Sequence, residues 1–339
     1  MTKHPLRKYL GAAGQLLVGI LIIVIIVIVL QNLLGFVQVQ TAPPGWQIIR
    51  PPQEVSTLVI ANDTVWTGGK DGIILIDRST GRQISTPGPA PSFGYVRQIL
   101  RDRMGQIWVG HDGGLARFRN GSWEVIAPAP GVPFSKVLSI AQRHDGTIVI
   151  GTDTDVFSSA NGSWTSLLVN NRPTVASADV LFEDREGNLW VGCGAPAHGG
   201  LYRLNRTTWS SFSMQDGLPH LSIRSITQTR GGTIWVAAGF SRQGGAALYS
   251  GGTWTNLTVM DGLAGESTRS VFEDSMSRMW IGSEYDGIAV GRPGSWNVIT
   301  EKDGLAGYEV KVMAQDANGT YWLGTNSGLN RVDPYAAYP

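Results

Sequence analysis

The chain has a single cysteine, Cys193, so no internal disulfide can form. A large apolar core needs no such staple, and one thiol says little about compartment. Charge is sparse as well. Only 16% of the 339 residues are charged, and 27 bases against 26 acids leave a net charge of +1. That balance gives no electrostatic case for a nucleic-acid partner. The five histidines (His4, His111, His144, His198, His220) lack metal-ligand spacing, and no Walker-type loop is present. A G-x-S-x-G turn with triad partners is not evident either. No metal, cofactor or catalytic residue is therefore expected, and the chain is expected not to be an enzyme. Cys193 with His198 is the only candidate nucleophile pair.

Glycine is plentiful, at 44 residues, which points to a turn-rich β chain and not to a disordered one. The stretch 182–209 (FEDREGNLWVGCGAPAHGGLYRLNRTTW) sets the pattern. Asp184 and Gly187 bracket a tight turn, Leu189-Trp190-Val191 form a strand, Leu201 to Leu204 alternate as a half-buried strand would, and a last strand begins at Trp209. Trp66, Trp108, Trp190, Trp235, Trp280 and Trp322 hold the same place in their units, with Val149 in the third, at steps of 41–45 residues. Seven units of that length are the signature of four-stranded propeller blades. A second column, Trp123, Trp164, Trp209, Trp254 and Trp296, marks outer strands; with Trp46 the two columns contain all twelve tryptophans. Each indole buries roughly 150–250 Å², about 4–6 kcal/mol gross at ~25 cal/mol/Å², so the columns are read as packing between blades.

The last unit ends without its outer strand, and Gly45-Trp46-Gln47-Ile48-Ile49 stands unpaired ahead of the first. The expected fold is all-β, a seven-bladed propeller over residues 45–333 closed by the strand at 45–49, so that no sheet edge is left open at the seam. Residues 334–339 are expected to fray.

The run D-x-x-G-x-[IL]-W-[VI]-G, followed by G-[GL]-L and a later D-G-L, resembles the two-component regulator propeller repeat. The likeness covers about residues 55–333, with departures at Arg143, Ser277 and Ala237. It implies a sensor-type domain outside the membrane, as in bacterial hybrid kinases, although no kinase, receiver or DNA-binding segment follows.

Residues 1–10 carry Lys3, Arg7 and Lys8 and no acid, and Leu16 to Val37 are almost wholly apolar. Such a run spans ~33 Å as a helix, enough for the ~30 Å hydrocarbon layer. A cytoplasmic tail (1–10), an uncleaved transmembrane signal anchor (11–37) and a short linker (38–44) are expected, with the bilayer as one partner and the propeller outside the cell membrane.

Candidate binding residues come from the repeat. At the start of the inner strands, equivalent positions hold Arg97, Leu138, Asp179, Arg224, Arg269 and Lys311. Inner strands line a propeller's central channel, so four cations are expected to ring its mouth and attract an anionic small ligand or a membrane or extracytoplasmic protein. His111, His198, Arg242 and Tyr285 are placed on nearby loops. The competing reading is that these side chains face solvent or pair with acids. Cys193–Gly200 and Ala237–Ala247 read as extended loops on the same face, where binding often sits. The leading expectation is a membrane-anchored binding module, and the alternative is an extracytoplasmic lyase or glycan hydrolase using the loop-extended face.

Overall fold

The computed structural model describes residues 42–336, apart from 128–135, 161, 169–174 and 176. The expected tail and membrane anchor lie outside the described residues. Among the described residues, no helix is long and apolar enough to cross a membrane.

Seven four-stranded antiparallel sheets follow one another along the chain. Each inner strand, such as Val96–Arg101, pairs with a second strand, Ile107–His111, then a third, Gly114–Arg119, and an outer one, Ser122–Ile126. Second strands such as Leu189–Cys193, Met279–Ser283 and Tyr321–Thr325 are buried along their whole length. They lie between neighbouring sheets on both faces, which is why they read as unbroken apolar runs. Outer strands such as Thr208–Phe212 are largely wet.

The seventh sheet closes as expected. Trp46–Ile49 pairs antiparallel with Gly328–Val332, Trp46 opposite Val332 and Ile49 opposite Leu329. Trp46 and Ile49 are both buried. Residues beyond Asp333 do not all fray: the Ala336 amide donates to Asp333 O, and Ala336 packs into the core beside Trp46.

Two repeated devices set the ring. A glycine follows the Trp column because the next blade's inner strand comes very close. A Cβ at Gly192 would lie 2.7 Å from Ile223 Cγ2, and one at Gly324 would lie 2.6 Å from Val55 Cγ1. Opposite the candidate mouth, five successive blades repeat one amide-to-side-chain bond to the next blade. The amides of Arg103, His144, Arg185, Arg230 and Ser275 donate to Gln142, Glu183, Gln228, Glu273 and Gln315 of the following blade, at 2.5–2.9 Å.

The D-G-L segments are packing elements. Ser213, Thr258 and Thr300 form capping boxes with Asp216, Asp261 and Asp303 around single 3-10 turns. Leu218, Leu263 and Leu305 then drop into the core.

Candidate functional site

Five residues of the predicted column occupy β-bulges. The ladder register slips between Val96 and Gln98, Ala178 and Val180, Ile223 and Ser225, Thr268 and Ser270, and Val310 and Val312. The extra residue in each case is Arg97, Asp179, Arg224, Arg269 or Lys311. A bulge leaves one residue outside the pairing and re-aims its side chain. Here the five side chains converge with Leu138 on a cavity of about 270 Å³, and Ser56, Tyr95 and Glu309 complete the wall.

Sequence reasoning placed one acid of this mouth, Asp179, and missed the others. Arg97 donates to both oxygens of Asp112, at 2.8 and 3.0 Å, and stacks 4.3 Å over Tyr95. Arg224 Nη1 donates to Asp179 at 3.1 Å. Arg269 pairs with Glu284 and lies 3.0 Å from Glu309. Lys311 donates to Glu54 at 2.8 Å and lies 3.5 Å from Glu309. The four cations therefore face two lining carboxylates, Asp179 and Glu309, with Glu54, Asp112 and Glu284 close behind. A signal for one of them was present: Glu309 stands two residues before Lys311 of the column, as Tyr95 stands before Arg97.

Protonation follows the pairing. The bond from Arg97 holds Asp112 below the usual carboxylate range. Burial pushes Glu54 up, but bonds from Lys311 and the Tyr95 hydroxyl outweigh it and keep the carboxyl low. Burial also pulls Lys311 down, while Glu309 and Glu54 hold it above an ordinary lysine. Arg224 differs. Burial first, and the like charge of Arg269 second, lower its pKa, and its Nε is buried without a partner.

The four flanking residues divide. Arg242 stacks 4.6 Å over Tyr285, joining the fifth blade to the sixth. The extension carrying Arg242 is less a loop than two lengthened strands, Ile234–Phe240 and Gln243–Ser250. They meet in a two-residue turn with positive φ at Ser241 and Arg242, as a tight hairpin requires. His198 is exposed on the loop after Cys193 and does not line the cavity. His111 is buried, with Nδ1 2.9 Å from Phe93 O, and burial depresses its pKa; it supports the loop of Phe93 instead of facing the mouth. Cys193 is fully buried, which removes it as an exposed nucleophile. Among the described residues, no cluster of His, Cys, Asp and Glu could hold a metal ion.

The two-component regulator propeller model matches residues 304–327. No curated protein matches. Among solved structures, the chain is similar to the extracellular domain of BT3049, described as a hybrid two-component system of B. thetaiotaomicron. Identity is 18% and the TM-score 0.73, covering 87% of this chain and 42% of that one, so the chain spans less than half of that domain. It is also similar to a catalytically inactive virginiamycin B lyase of Staphylococcus aureus, with 12% identity and a TM-score of 0.66, covering 85% of this chain and 98% of the lyase. PorZ of Porphyromonas gingivalis, a surface component of the type-IX secretion system, matches at 15% identity and a TM-score of 0.60, covering 83% and 46%. The lyase likeness overturns the expectation that the chain is not an enzyme. A fold shared over nearly all of a lyase is one that carries catalysis, so poverty in sequence motifs places no limit on activity. The chain is a seven-bladed β-propeller that resembles the two-component regulator propellers and shares its fold with sensor and lyase propellers alike.

Proposed function

We propose that the propeller is an extracytoplasmic binding module of sensor or scaffold type. Residues 11–37 tether it to the cell membrane, and residues 1–10 stay in the cytoplasm. Its site is the channel mouth, and the ligand carries an anionic group. One observation supports this above the others: Arg224 sits in the cavity wall with a single hydrogen bond among the described residues, to Asp179, and with its Nε buried and unbonded. Arg97 and Lys311, by contrast, are matched by carboxylates of their own. A second anion between Arg224 and Arg269 relieves the repulsion between them.

Thermal shift of the full-length protein with acetate, malonate and phosphate tests the reading. At an anion concentration near 100 Kd, stabilisation of about 2.7 kcal/mol corresponds to a rise of roughly 4–5 °C. Arg224→Ala with Arg269→Ala should abolish that rise. If no anion moves the wild-type transition, the binding site lies elsewhere.

The lyase or hydrolase reading keeps one specific support. Glu284 and Glu309 converge on Arg269, and the Tyr95 hydroxyl and Lys311 converge on Glu54, an arrangement of acids and a phenol able to move protons. Turnover lost on Glu54→Gln, with the melting temperature unchanged, would favour this reading over binding alone.

A further inference from the structure

Two groups in the mouth have bonding capacity left over, and their charges are opposite. Arg224 uses one Nη1 bond, to Asp179, and makes no other hydrogen bond among the described residues. Glu309 is its converse. Its carboxylate lies 3.0 Å from Arg269 Nε and 3.5 Å from Lys311 Nζ. Yet Arg269 Nε makes no hydrogen bond, and no donor among the described residues bonds either Glu309 oxygen. Both residues line the same cavity.

A ligand with only a carboxylate would satisfy Arg224 but sit in the field of Glu309. One with only an ammonium would suit Glu309 but sit in the field of the four lining cations. A molecule bearing both groups turns each repulsion into an attraction. Building on the binding reading above, we infer that the mouth takes a zwitterion of amino-acid type, its carboxylate on Arg224 and its ammonium on Glu309. Size agrees. The cavity of about 270 Å³ falls below the ~300–1,000 Å³ of pockets for drug-sized ligands and suits a single amino acid better than a peptide. Leu138 and Tyr95 supply the apolar part of the wall.

Calorimetric titration of the full-length protein with valine, isovalerate and isobutylamine compares the zwitterion with each of its halves. The other free amino acids are screened beside valine by thermal shift, and each that binds is titrated against its own carboxylate-only and amine-only analogues. At least one amino acid should bind ten-fold or more tightly than both of its analogues. Glu309→Gln should erase that margin without weakening the carboxylate analogue, and Arg224→Gln should weaken both. If the amino acid and the carboxylate analogue bind equally, and Glu309→Gln leaves them so, the zwitterion is overturned while anion binding stands. If neither amino acids nor carboxylates bind, both readings fall. Glu309→Gln is isosteric, so its melting temperature should stay within about 2 °C of wild type; a larger fall makes Glu309 a structural ion-pair member and also counts against the proposal.

Discussion

Asp184 accepts from the amides of Glu186 and Asn188, from the Asn188 side chain, and from Trp190 Nε1 at 2.7 Å. Asp102, Asp274 and Asp316 hold Trp108, Trp280 and Trp322 in the same way. The aspartate is both a turn former and the acceptor that allows an indole N–H to be buried. The third blade, with Arg143 in place of the aspartate, also has Val149 in place of the tryptophan; the fifth keeps Trp235 over Thr229. Asp184→Ala should cost about 3 kcal/mol, lowering the midpoint by roughly 5 °C in a thermal melt. Asp274 gives a pH test. Burial pushes its carboxyl up, but bonds from Trp280 and from Arg278 hold it below 3.8, the ordinary value. A group whose folded pKa is depressed stabilises the fold above its unfolded pKa and loses that effect as pH falls through the folded value. The gap in melting temperature between wild type and Asp274→Asn should therefore be constant above pH ~4 and shrink below it. The turn role of these aspartates was legible from D-x-x-G, whereas their bond to the tryptophan was not, because a six-residue separation joins them only once a strand has folded back beside its turn. The same holds for the mouth. Its column of cations is visible by aligning repeats, but Asp112 and Glu284 arrive from the ends of neighbouring strands, outside that column.

At the scale of the strand, small residues decide how closely blades approach. Gly192→Ala should destabilise by about 1–3 kcal/mol through overpacking against Ile223. Ala237, which already occupies the equivalent position, should tolerate replacement by glycine at a cost of about 1 kcal/mol or less; equal costs in denaturant titrations would refute the close-approach account. The strands themselves were readable from tryptophan spacing and alternation, since a buried second strand has to be apolar on both faces. Bulges were not. Period-two reasoning assumes an unbroken ladder, and five of the inner strands break it at the residue that enters the cavity. The hairpin at Ser241 and Arg242 was mistaken for a loop because its glycines and alanines carry no alternation, although its pairing runs to the tip.

Across the whole molecule, closure is a matter of one short strand. Deleting residues 45–49 removes the pairing with Gly328–Val332 and the burial of Trp46 and Ile49. Loss of about 3–5 kcal/mol should follow, a fall of roughly 5–8 °C; an unchanged melting temperature would mean that the seam is held by other contacts. Orientation is testable in the same protein. Protease added to bacterial spheroplasts expressing it should digest the propeller and spare a membrane-embedded N-terminal fragment, and protection of the propeller would reverse the assignment.

The join in the ring and the cavity share residues. Lys311 donates to Glu54 across 257 positions of sequence, and the Val55 amide donates to Thr325 O beside it. A molecule seated against Lys311 and Glu309 thus acts as a latch on the two ends of the chain. Fraying of the final sheet and release of the guest become linked equilibria, so cleavage at the loosened end would count empty molecules without any label on the guest.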